Sequence, residues 1–86
     1  MEDRMQNQDI ITKINTLLVE EIEIDVEQIS PSADLKKDLG IDSLDFVDLF
    51  VIIETHFGFK MKAEEMANVT TLQDFYNYII NRINRN

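Results

Sequence analysis

Apolar residues along this chain fall into three helical stripes separated by one long irregular stretch. Ile10, Ile11, Ile14, Leu17, Leu18 and Ile22 recur three and four positions apart, which gathers them on one helix face. This spacing predicts a first helix over residues 8–21. Residues 1–7 carry no such period and are expected to form a flexible tail ahead of a single domain over 8–86. A second helix is predicted from Asp42 to Phe57. Asp42 suits the N-cap, Asp45 stands three positions on as in a capping box, and Gly58 suits the left-handed residue after a helix. A third stripe, Leu72, Phe75, Tyr76, Ile79, Ile80 and Ile83, follows Thr71, an N-cap with Asp74 three positions on. Arg82 and Arg85 sit near the negative end of that helix.

Between the first two helices the pattern changes. Ile22, Ile24 and Val26 alternate with Glu23, Asp25 and Glu27, a strand-like period with no second strand to pair with. Pro31 interrupts the run. The stretch is therefore expected as a long ordered loop, pinned to the core by Ile29, Leu35, Leu39 and Ile41. Ala63–Ala67 suits one or two further helical turns. The expected fold is all-α: a four-helix bundle of three main helices plus a short third one, with a long loop between the first two. Two glycines and one proline in 86 residues favour that class over many short strands.

The formal net charge of −9 changes what such a bundle can bind. Phosphate backbones and anionic membrane surfaces would repel it, so neither nucleic-acid binding nor membrane insertion is expected. Basic patches on other proteins would attract it. The start, MEDRMQNQD, does not read as a signal peptide, and no apolar run approaches ~18 residues. The expectation is a cytoplasmic monomer. The chain has no cysteine and so no thiol of its own.

The second predicted helix has two distinct faces. Phe46, Leu49, Phe50, Ile53 and Phe57 form a wholly apolar stripe that is expected to be buried. On the adjacent face, Leu44, Val47 and Val51 are interleaved with Asp48 and Glu54. An ordinary wide amphipathic stripe accounts for any one of these residues. Taken together, aliphatic anchors among acids suit a docking strip for a basic partner.

At the start of this helix stands Asp38-Leu39-Gly40-Ile41-Asp42-Ser43-Leu44-Asp45. Ser43 occupies the first helical position, where backbone N–H groups and the helix dipole favour a phosphate. On these grounds alone Ser43 is either a residue suited to a helix start or a phosphate acceptor. The run DLGIDSL from Asp38 to Leu44 resembles the phosphopantetheine attachment motif of acyl carrier proteins. The resemblance extends over nearly the whole chain, taking in the first helix, the Pro31–Asp45 run and the Thr70–Thr71 start of the last helix.

That resemblance implies a function. Ser43 would bear 4'-phosphopantetheine, transferred from coenzyme A by a separate phosphopantetheinyl transferase that uses magnesium. The chain would be a carrier of acyl thioesters, with no catalytic residue of its own. Acyl transferases, ketosynthases or acyl ligases with basic patches would dock on Asp42, Leu44, Asp45, Val47, Asp48, Val51 and Glu54. Phe46, Phe50, Ile53 and Ile79 would line a space for the acyl chain, or be plain core. Carriers of fatty-acid synthesis often have a small polar residue where this chain has Phe46, and acids where it has Thr55 and His56. Lys60 and Lys62 add positive charge. These departures point to a dedicated carrier for a polyketide, an aryl polyene-type pigment or a lipid modification at least as much as to housekeeping synthesis. An aminoacyl carrier and an unmodified acidic adaptor are the alternatives.

Other chemistry finds little support. His56 has no serine nucleophile at helical spacing and suits a cap or a solvated site. Asp34, Asp38, Asp42, Asp45 and Asp48 do not follow the spacing of a calcium loop, so no metal site is expected.

Overall fold

The computed structural model describes residues 7–84. It contains α1 (Asn7–Glu20), a single 3-10 turn (Val26–Gln28), α2 (Ser43–Phe57), a short 3-10 helix (Ala63–Asn68) and α3 (Leu72–Asn84). No strand is found among the described residues, only an isolated bridge between Asp34 and Thr71. The fold is the expected bundle of three long helices and one short one. Most of the expected tail, and Arg85, lie outside the described residues; Asn7 already belongs to α1.

α1 touches both of the other long helices. Near its middle, Lys13 Nζ lies 5.8 Å from the ring of Phe57 at the far end of α2. Asn15 accepts a hydrogen bond from the Tyr76 hydroxyl in the second turn of α3. The loop links the starts of α2 and α3: Leu35 N–H donates to Thr70 C=O just before α3, and Leu35 C=O accepts from Ile41 N–H just before α2. α1 ends without a glycine, and Glu23 takes a φ of 66°, a left-handed conformation uncommon outside glycine.

Each long helix buries a narrow strip. Ile10, Ile14, Leu17 and Leu18 come from α1, Leu49 and Ile53 from α2, and Leu72, Phe75, Tyr76 and Ile79 from α3. The long loop adds Ile24, Ala33, Leu35, Leu39 and Ile41, more buried residues than α2 supplies. One expectation needs correction: of the α2 stripe only Leu49 and Ile53 are fully covered, while Phe46, Phe50 and Phe57 are half-buried against the core. In so small a bundle a helix meets its neighbours along a strip narrower than its apolar face.

The loop is held by backbone bonds to the start of α3. Leu35 N–H donates to Thr70 C=O at 2.9 Å, Leu72 N–H to Ala33 C=O at 2.9 Å and Gln73 N–H to Pro31 C=O at 2.9 Å. At the same junction Asp74 N–H donates to Thr71 Oγ1, while the Asp74 carboxylate accepts from the Thr70 and Thr71 amides, each at 3.2 Å. The Thr71 amide first, then that of Thr70, holds the Asp74 carboxyl below its ordinary value. A carboxyl with a lowered pKa in the folded chain stabilises above its unfolded pKa, and that contribution fades as pH falls through the folded value. Asp74→Asn is therefore expected to lower the melting temperature at neutral pH. The gap between variant and parent should close below the ordinary 3.8, as melts across an acid series would read. A gap independent of pH would refute the assignment.

Candidate functional site

The loop treats the two helix starts it links differently. At α3 the loop carbonyls occupy the Leu72 and Gln73 amides, and Leu72 is buried. At α2, Ser43 and Leu44 stay exposed. The open start is rigid nonetheless. Asp45 N–H donates to Asp42 Oδ1 at 2.9 Å, and Asp42 N–H donates to Asp45 Oδ2 at 3.4 Å, closing a capping box around the first turn. Ile41 N–H donates to Leu35 C=O at 3.0 Å and Ile41 is buried, which anchors the chain two residues before Ser43. Gly40 supplies the preceding bend with a φ of 70°, where a side chain would be strained.

Beside Ser43 an open groove of about 580 Å³ runs between α2 and the short helix. Phe46 and Phe50 form one wall, their ring centroids 6.5 Å apart and tilted by 44°. Ala63, Met66 and Ala67 of the short helix form the other. Lys36 and Lys37 line the end near the loop. Their amides donate to Asp34 Oδ1 at 2.9 and 2.8 Å, and the Lys37 amide is the main cause of an Asp34 pKa below the ordinary range.

The expected site residues are only partly brought together. Phe46 and Phe50 border the groove, whereas Ile53 and Ile79 are fully covered in the core and do not line it. The groove instead uses Ala63, Met66 and Ala67 of the short helix. On the outer face of α2, Leu44 is 76 % exposed, Val47 58 % and Val51 60 %, with Asp48 and Glu54 exposed among them. Asp42 is exposed too, but Asp45 is half-buried and turned into the capping box. His56 is exposed in the last turn of α2. No group of three or more His, Cys, Asp or Glu among the described residues is placed to hold a metal ion. No helix among them is long and apolar enough to cross a membrane.

Comparison with known proteins decides the family. The family model described as "Phosphopantetheine attachment site" matches residues 12–79, which span most of α1, the loop, α2, the short helix and most of α3. The chain belongs to the acyl carrier protein family. It is 35 % identical over 75 residues to an acyl carrier protein of Cylindrotheca sp. (strain N1), covering 87 % of this chain and 94 % of that one. It is 32 % identical over 79 residues to an acyl carrier protein of Thermosynechococcus vestitus, covering 92 % and 98 %. An acyl carrier protein of Thermotoga maritima is 35 % identical over 72 residues, covering 84 % and 89 %.

The cofactor of an acyl carrier protein is phosphopantetheine. The residues present fit that group. An exposed hydroxyl stands at a helix start whose dipole favours a phosphodiester. Two lysines bring positive charge into a groove that Ser43 itself borders, and the groove walls are apolar.

Proposed function

We propose that Ser43 carries the phosphopantetheine arm and that the chain delivers acyl groups to enzymes of fatty-acid, polyketide or related specialised lipid biosynthesis. The observation that carries this reading is the exposed serine at the open start of α2, directly beside an apolar groove. The arm's terminal thiol supplies thioester chemistry to a chain that has no cysteine. Ser43 Oγ forms its bond to phosphorus as the pyrophosphate of coenzyme A is cleaved; the nucleotide leaves, and the serine proton passes to a separate magnesium-dependent transferase. The capping box holds Ser43 in a fixed orientation for that transferase, and the helix dipole offsets the repulsion from Asp42 and Asp45. Phe46, Phe50 and Met66 offer the cargo a surface away from water. The chain is a substrate carrier rather than an enzyme, and acts as a monomer in the cytoplasm.

Intact mass tests the reading. Incubation with coenzyme A, magnesium and a broad-specificity phosphopantetheinyl transferase is expected to add one phosphopantetheine per chain. No change of mass, under conditions that modify a known carrier, would leave the unmodified acidic adaptor as the better account. Loading with fatty-acyl and with aminoacyl donors would then separate the acyl from the aminoacyl carrier.

The partner surface follows from the exposed face of α2. Leu44, Val47 and Val51 supply apolar anchors, and Asp48 and Glu54 orient a basic patch. The double variant Asp48→Lys, Glu54→Lys is expected to slow modification about tenfold at low salt, with the difference shrinking as salt rises. Its melting temperature should stay near the parent's, since both side chains are exposed. An unchanged rate at low salt would rule out this face.

A further inference from the structure

The groove has one firm wall and one weakly held wall. Phe46 and Phe50 stand on α2, which is anchored by the fully covered Leu49 and Ile53. The opposite wall is the short helix Ala63–Asn68, and none of its residues is buried. Its N-cap residue, Lys62, makes no side-chain capping bond. Segments with so little burial open locally at low free-energy cost. Whatever fastens this helix therefore governs the groove.

Besides the half-buried Met66, a polar cluster on its far side helps to fasten it. The Tyr78 hydroxyl donates to Glu65 Oε1, and Arg82 Nη1 donates to the same oxygen at 3.2 Å and to the Tyr78 oxygen at 3.1 Å. The ion pair is partly shielded, the two side chains being 20 % and 36 % exposed. The guanidinium also lies 4.8 Å from the centroid of Phe59, in the segment joining α2 to the short helix. Burial first, then the bond to Glu65, pushes the Tyr78 hydroxyl above its ordinary range. Arg82 thus ties both the short helix and its leading segment to α3. Met61 of that segment is buried in the core and adds a second point of hold on it.

We infer that Glu65, Tyr78 and Arg82 are positioning residues that fasten the short helix to α3 and so set the width of the groove and the size of acyl cargo it shelters. This rests on the reading that Ser43 bears the cargo. Glu65 stands two positions from Ala63 and Ala67, and next to Met66, so its fastened side and the groove side belong to the same short helix. Removing the Tyr78 or Arg82 bond to Glu65 loosens the wall without touching the residues that line the groove.

The test uses the full chain with Tyr78→Phe and, separately, Arg82→Gln. The first readout is amide hydrogen exchange on unmodified protein, which does not depend on Ser43. Exchange at residues 63–68 is expected to quicken about tenfold, while the core amides of α1 and α2 keep the parent's rates. The second readout is hydroxylamine cleavage of proteins loaded with acetyl or with a long saturated acyl group. Cleavage of the long cargo is expected to quicken several-fold and that of acetyl to stay unchanged. Unchanged exchange at 63–68 in both variants would overturn the fastening. Faster exchange everywhere, or equal effects on both cargoes, would overturn the control of cargo size and reduce the cluster to general stability. Should Ser43 not accept the arm, only the second readout is lost, and the intact-mass measurement shows it.

Discussion

Ser43→Ala is expected to leave the chain folded and wholly unmodified. The side chain is exposed at the first position of α2, and the cap is made by its neighbours Asp42 and Asp45. Alanine is a good helix former, so stability should change by less than about 0.5 kcal/mol. Far-ultraviolet circular dichroism and the melting temperature are therefore expected to match the parent's. Incubation with coenzyme A and a transferase should nevertheless add no mass. This pairing of intact fold with complete loss separates an attachment point from a structural serine. A variant that still gains one phosphopantetheine would place the attachment elsewhere.

Phe75→Ala carries the largest expected effect on stability. Phe75 is fully covered, with 0 % of its surface exposed, and it sits in the first turn of α3 within the core. Truncating a buried phenylalanine costs about 3–5 kcal/mol. A domain of this size holds on the order of 5 kcal/mol in all. The variant is expected to be largely unfolded at 25 °C in water, or to unfold at a small fraction of the parent's urea midpoint. Ile79→Val, one turn further on and equally covered, should cost only about 0.5–1.5 kcal/mol and stay cooperative. A Phe75→Ala midpoint equal to the parent's would contradict the placement of the core.

The long helices and their ends were legible because local chemistry marks them. Asp42 with Asp45, Gly58, and Thr71 with Asp74 each hold the backbone groups they stand beside. The end of α1 carried no such mark: the left-handed turn there falls on Glu23, a residue type that does not advertise it. The 3-10 turn at Val26–Gln28 hid inside a strand-like alternation, and Val26 points outward at 67 % exposure. Ile24 and Ala33 joined the loop's anchors because backbone bonds hold them: Ile24 N–H donates to Leu18 C=O of α1, and Ala33 C=O accepts from Leu72 N–H of α3. Such bonds leave no trace in side-chain spacing.

The candidate site was legible to different depths. The position of Ser43 follows from the cap beside it, and the outer face of α2 follows from its alternation of aliphatics and acids. The walls of the groove depend on which helix stands opposite Phe46 and Phe50, a tertiary matter that periodicity within α2 cannot settle. Ile53 and Ile79 look like lining residues on a helical wheel and are core in the bundle. The contact of Glu65 with Tyr78 and Arg82 joins residues 13 and 17 positions apart, beyond the reach of helical spacing.

Mapping the modified residue shows directly whether Ser43 carries the arm. Trypsin cuts after Lys36, Lys37 and Lys60, so Ser43 falls in the peptide 38–60 while Ser30 and Ser32 fall ahead of Lys36. Fragmentation of peptides from the phosphopantetheinylated protein is expected to place the whole added mass on Ser43. Added mass on Ser30, Ser32 or Thr55, with peptide 38–60 otherwise unmodified at Ser43, would contradict the account.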